Sequence, residues 1–241
     1  MIKLSIFAVA LLMSFCSLAQ VQEKQTVYLL PGQGSDCRIF SKLRIDTAQY
    51  NLICLEYDAP RSDESMKHFS MRISKAIDTT TQFILIGVSL GGMISTEIAH
   101  HLHPEKVILI SSAKTRKELP KRYLIQRYIQ PYHIIPKRVI KAGAILLQPI
   151  IEPDRRKEKK IFVDMLKSKH PNYFKETVRI ILEWERQQNN AENIIHIHGD
   201  NDHTIPIKNV KTDYVVSTGS HMMTLTQPAV INRIINNILN D

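Results

Sequence analysis

Four stretches of the sequence carry residue types that could do chemistry. In "HIHGDNDHTIP", His196 to Pro206, three histidines and two aspartates fall within eight residues. Imidazole and carboxylate are the usual ligands of zinc and iron, so a metal cage is one reading of the cluster. In "FILIGVSLGGM", residues 83–93, Ser89 stands between Gly87 and Gly91 as G-x-S-x-G. Small residues two positions to either side let a chain pass through a strained strand-to-helix turn that pushes a serine oxygen outward. The plainer alternative is a turn whose serine caps the helix. In "VYLLPGQGSDCRIF", residues 27–40, a glycine-rich loop follows an apolar run and could aim main-chain N–H groups at a developing oxyanion. It lacks the Lys-Ser/Thr ending of a phosphate-binding loop. In "STGSHMM", residues 217–223, His221 follows the last apolar run.

A serine hydroxyl is a poor nucleophile at neutral pH until an imidazole takes its proton. That imidazole in turn needs a carboxylate to fix its tautomer and stabilise its cation. Ten histidines compete for the place. His100, His101 and His103 lie at a helix end, where their charge suits the dipole, and His196 falls inside an apolar run as a core residue, with His198-Gly199 read as the turn that follows. His203 is the rival to His221, but a ring next to an aspartate of its own loop is badly placed to bridge from there to the serine.

These residues need a frame that brings distant loops together. Short apolar runs at 27–30, 51–57, 83–87, 106–110, 193–197 and 214–217 are continuous rather than alternating and rich in Val and Ile, as strands covered on both faces require. Helical patterns fall at 63–77 and 91–102, the latter ended by Pro104, and a last helix starts at Pro228 with apolar residues at 230, 231, 234, 235, 238 and 239. Alternating strand and helix imply a three-layer α/β domain with a mostly parallel sheet of about six strands and right-handed crossovers. Loops at the carboxyl ends of such strands can each present one residue to a common site. The rhythm breaks between Lys114 and Glu192, where helical periodicity at 155–168 and 172–187 predicts a helical cap, about 114–192, inserted before the strand that leads into the His196–His203 cluster.

At 241 residues with 44% hydrophobic and 23% charged composition, the chain suits one soluble domain that needs no disulfide or metal to fold. Its first nineteen residues, "MIKLSIFAVALLMSFCSLA", run from Lys3 through an apolar centre to Ser17-Leu18-Ala19, the pattern of a cleaved export signal. A membrane anchor would need roughly 20 apolar residues. The expectation is a secreted or periplasmic protein with a signal at 1–19 and a folded domain at 20–241. Cys37 and Cys54 then remain, as a disulfide or as two free thiols. The net charge of +9 is local: between Lys114 and Lys160 there are fourteen Lys or Arg against four Asp or Glu. That region reads as a solvated basic face, or as a surface favouring anionic lipid or acidic substrates. Nucleic acid is not expected, since no reading motif is present and export argues against it. The oligomeric state is left open.

In their order along the chain, the motifs resemble those of the α/β-hydrolase superfamily, serine esterases and lipases with a helical cap. In that family an elbow serine is followed by an acid after a later strand and a histidine near the end. Ser89 fits the elbow. "HGDNDHTIP" is similar to the family's H-G-x-x-D-x-x-V-P loop, which implies Asp202 rather than Asp200 as the acid, and "STGSHMM" resembles its G-G-H-x-F/M segment, which implies His221 as the base. The likeness spans about residues 26–113 and 193–240. It implies a carboxylic ester hydrolase working through an acyl-enzyme on a small ester or related acyl substrate. The main-chain N–H groups of Gln33 and Leu90 would form the oxyanion hole, without cofactor or metal. The chain departs from the family in having Pro31-Gly32 where many members have His-Gly, and in leaving no room for the opening antiparallel strands. Two rivals stand beside this reading. A metal-dependent hydrolase could use the His196–His203 cluster, although Asn201 occupies its last ligand position. A non-catalytic binding protein on a hydrolase scaffold usually loses part of the triad.

Overall fold

The computed structural model describes residues 24–147, 152 and 158–241. The expected export signal at 1–19 lies outside the described residues. Strands β1 (Gln25–Leu30), β2 (Tyr50–Cys54), β3 (Phe83–Val88), β4 (Lys106–Ile110), β5 (Ile194–Gly199) and β6 (Tyr214–Val216) form one sheet in the order β2-β1-β3-β4-β5-β6. Every neighbouring pair is parallel. The apolar runs are continuous because side chains alternate between two covered faces. Tyr28, Leu85 and Leu109 join one buried cluster, and Val27, Ile84 and Ile108 join the other.

Helices α1 (Met66–Ile73) and α2 (Leu90–Leu102) cover the first face, and at the chain end α9 (Pro228–Asn240) covers the second through Ile231, Ile235 and Ile238. Between β4 and β5 the cap supplies α3 (Lys121–Ile129), α4 (Pro131–Ile134), α5 (Lys137–Leu146), α6 (Lys159–Ser168) and α7 (Pro171–Leu182), and the short α8 (Met223–Thr226) precedes α9. No strand occurs in the cap among the described residues, as expected.

Several details differ from the sequence expectations, among them the helical stretch expected over 172–187, which ends at Leu182. The helix expected over 63–77 starts at Met66, because the Ser65 side chain caps it by accepting from the His68 N–H. β2 stops at Cys54, short of Tyr57. β5 continues through His198 and Gly199, which pair with Val215 and Val216 of β6, so the turn begins at Asp200 rather than at His198. Cys37, in a 3-10 turn after β1, is disulfide-bonded to Cys54 at the end of β2, with Cα atoms 6.0 Å apart.

Two polar latches fix the cap to the body. On α2, the buried Glu97 carboxylate accepts from Trp184 Nε1 at 2.7 Å and from Arg186 Nε and Nη2 at 2.7 and 2.8 Å. On α7, Arg179 pairs with Glu176 and Glu183 and donates through Nη2 to the Arg61 and Glu64 carbonyls. The base of the cap is therefore joined both to α2 and to the loop that precedes α1.

Candidate active site

Ser89 occupies the junction of β3 and α2 with φ 52° and ψ −119°, a left-handed conformation that costs a non-glycine residue roughly 1–3 kcal/mol. The surrounding structure enforces it. The Ser89 N–H donates to the Ile110 carbonyl at 3.0 Å, and the Ser89 carbonyl accepts from Ser112 Oγ at 2.6 Å. The flanking glycines are required by space: a Cβ on Gly91 would stand 2.0 Å from the Leu30 carbonyl oxygen, and one on Gly87 would stand 2.5 Å from that of Gly91. Ser89 does not cap α2 with its side chain, so its hydroxyl is left for other work.

That hydroxyl meets His221. Ser89 Oγ lies 2.9 Å from His221 Nε2, and His221 Nδ1 lies 2.7 Å from Asp202 Oδ2. With Asp202 ionised, the Nδ1–H donates to it and Nε2 is left to accept the serine proton. Burial pushes the Asp202 carboxyl upward, but the His221 charge and hydrogen bond, with His198 and the Ile205 N–H, outweigh it and hold the group below its ordinary range. Its other oxygen accepts from the Thr204 and Ile205 N–H groups, both at 2.8 Å. Burial likewise works against the His221 cation, but the Asp202 charge and hydrogen bond leave its pKa raised. The acid and base loops are packed together by Gly199 and Gly219, where a Cβ on Gly199 would stand 2.1 Å from the Gly219 oxygen.

The cluster that resembled a metal cage divides by task. Asp200 and His203 are exposed, and His203 reaches Asn201 rather than the serine. His196 and His198 are fully buried. His198 Nε2 donates to the Ile205 carbonyl at 2.8 Å, while His198 Nδ1 lies 3.1 Å from His196 Nε2. These two rings brace the loop that presents Asp202, and among the described residues no three His, Cys, Asp or Glu side chains are grouped as metal ligands.

The loop after β1 passes directly over Ser89, since a Cβ on Gly32 would stand 3.1 Å from the Ser89 Cβ. Gln33 is tied to the cap by Nε2 donating to Thr177 Oγ1 at 2.9 Å. Among the described residues neither the Gln33 nor the Leu90 main-chain N–H has an acceptor, and that of Leu90 opens α2, where the helix dipole favours negative charge. Ser89 and His221 open into a cavity of about 580 Å³, walled by mainly apolar cap residues such as Tyr123, Ile140, Met165 and Val178.

Glu152 is a lining residue that sequence reasoning passed over. It is buried in this wall, and neither carboxyl oxygen has a hydrogen-bond partner among the described residues. Burial pushes its carboxyl up to about 7, against the opposing charge of His221. It lies within a highly charged stretch, where nothing distinguished it from a solvated acid.

Comparisons with known proteins agree on the fold. A hydrolase from Pseudomonas aeruginosa PA01 superposes with a TM-score of 0.71 over 91% of each chain at 15% identity. An enol-lactonase from Burkholderia xenovorans LB400 gives 0.68 at 11% identity, covering 91% of this chain and 92% of that one. A thermophilic esterase from Thermogutta terrifontis gives 0.65 at 14% identity, covering 90% and 89%. The fold is thus the α/β-hydrolase fold with a helical cap, and identities this low carry the fold alone. A search of curated proteins returned no match. A family model described as "Uncharacterised protein family (UPF0227)" matches residues 42–218.

Proposed function

This chain belongs to the uncharacterised protein family UPF0227, and for it we propose the activity of an exported serine hydrolase that cleaves carboxylic esters through an acyl-enzyme. One observation carries the reading: a buried carboxylate, an imidazole and a strained serine joined by contacts of 2.7 and 2.9 Å at the floor of an apolar cavity. His221 takes the Ser89 proton as the oxygen attacks the acyl carbon, and Asp202 holds the resulting imidazolium. The oxyanion is met by the N–H groups of Gln33 and Leu90. His221 then returns the proton to the leaving alkoxide, and a water activated by the same nitrogen releases the acid. Export is supported by the pattern of residues 1–19 and is consistent with the pairing of Cys37 and Cys54, which persists in oxidising compartments.

The test is a panel of chromogenic esters of increasing acyl length. Wild-type protein should turn over at least one, and Ser89→Ala should lose that turnover. Retention of turnover by Ser89→Ala would reject the mechanism.

A further inference from the structure

Twelve large hydrophobic side chains are exposed among the described residues, and nine of them lie within 124–147, on or between α3, α4 and α5 or, for Leu147, at the end of α5. Tyr128 is 84% exposed and Ile134 76%. Chance scatter does not explain this concentration, since soluble surfaces rarely gather apolar side chains into one patch without a partner. The same stretch is cationic: from Leu119 to Leu147 there are six Lys or Arg and no Asp or Glu, and among the described residues only Arg127 of the six faces a carboxylate, that of Glu185 at 3.8 Å. Lys121-Arg122 begin α3 and Lys137-Arg138 begin α5. Positive side chains there oppose the helix dipole, whereas phosphate oxygens at the same places would be favoured.

A second copy of the chain would cover the apolar side chains but set two such cationic surfaces against each other. A bilayer carrying anionic headgroups satisfies both features, with apolar side chains at the acyl boundary and Lys or Arg at the phosphates. No described helix is long and apolar enough to cross a membrane, so the contact would be made at the surface. The position of the patch connects it to the site. Ile135, Val139 and Leu147 are exposed and also line the cavity that holds Ser89, so the rim of the cavity is part of the patch.

We propose that α3–α5 dock on an anionic phospholipid surface, placing the cavity rim against the membrane so that its ester is drawn from the lipid phase. The docking stands on exposure and charge, and only the choice of ester rests on the hydrolase reading above.

Purified protein is sedimented with phosphatidylcholine vesicles and with vesicles containing phosphatidylglycerol, using both wild type and Ser89→Ala so that docking is read apart from catalysis. Both should sediment with the anionic vesicles at low salt and remain in solution with phosphatidylcholine alone. Lys121→Gln, Lys137→Gln and Arg138→Gln together should weaken the partition about 100-fold. Tyr128→Ser with Ile134→Ser, at exposed positions that folding does not require, should weaken it about tenfold or more. Failure of wild type to sediment with anionic vesicles would overturn the proposal, as would equal binding to both compositions or indifference to both sets of substitutions. Self-association by light scattering without vesicle binding would assign the patch to a second copy and overturn it as well. Turnover of a soluble ester by a protein that does not sediment would end the docking proposal while leaving the hydrolase reading intact.

Discussion

The Glu97 latch allows its strength to be worked from the structure. Replacing Glu97 by Gln keeps the side-chain volume but removes the charge that faces Arg186. The carboxylate is 4% exposed and receives three donors at 2.7–2.8 Å. Removing one partner of a buried pair costs about 3–5 kcal/mol, because the other is left uncompensated. The Arg186 side chain is 17% exposed and can turn partly to water, which places the loss at the lower end, about 3 kcal/mol. For a chain of this size that is a fall of about 6–12 °C in Tm. Trp184 is the single tryptophan of the chain and donates to this carboxylate, so its fluorescence in a urea titration reports the latch directly. Burial raises the Glu97 carboxyl, but Arg186 and Trp184 outweigh it and its folded pKa lies below the ordinary 4.5. The unfolded state therefore binds more protons, and the contribution is present above about pH 4.5 and lost as pH falls through the depressed value. Wild type and Glu97→Gln should accordingly converge in acid. A loss under about 0.5 kcal/mol at pH 7, within the range of ordinary surface changes, or a gap that persists in acid, would refute the reasoning.

Four further outcomes follow from the site. Because Asp202 raises the His221 pKa above 6.5, the acidic limb of kcat/KM should fall at a pH above that of free imidazole. Asp202→Asn should cut kcat by about 10³–10⁴ while Asp200→Asn leaves it near wild type, and the reverse pattern would move the acid to Asp200. Gly91→Ala places a Cβ 2.0 Å from the Leu30 oxygen and 2.5 Å from that of Pro31, both backbone atoms where β1 runs into the loop that follows it. Turnover should drop about 100-fold or more, and full activity would show that the turn is looser than described. His196 is held near pKa 3 by burial, against 6.5 when free. The unfolded chain therefore binds more protons between these values, and stability that is complete above pH 6.5 is lost on acidification, by about 3 kcal/mol at pH 4. His196→Gln should flatten this fall in urea midpoint, and parallel curves for the two proteins would exclude His196 as its source.

Much of the frame was legible in the sequence because it rests on local pattern. β4 falls on the apolar run 106–110 to the residue, and the elbow glycines announce a turn that only they can make. Ser89, Asp202 and His221 each stand out in the sequence because each follows an apolar run, and the structure brings the three side chains within hydrogen-bond reach. The cap was harder to read. α3–α5 carry apolar residues both toward the cavity and toward solvent, so they show no single apolar stripe, and proline at 120, 131 and 136 cuts them short. The pairing of Cys37 with Cys54 depends on β2 lying beside β1, where Leu29 opposes Cys54, and local sequence does not carry that adjacency. His198 was misread as a turn residue because His-Gly resembles a strand end, whereas its buried ring bonds both His196 and Ile205. Glu152 reaches the cavity by tertiary packing alone.

The central claim is that Ser89 is a nucleophile activated by His221. Treatment with a fluorophosphonate, followed by mass mapping of the peptide that contains Ser89, tests it most directly. The account predicts a single adduct on Ser89, formed more slowly as pH falls below the His221 titration and absent from Ser89→Ala. An unlabelled Ser89, or an adduct on another residue that survives Ser89→Ala, would contradict it.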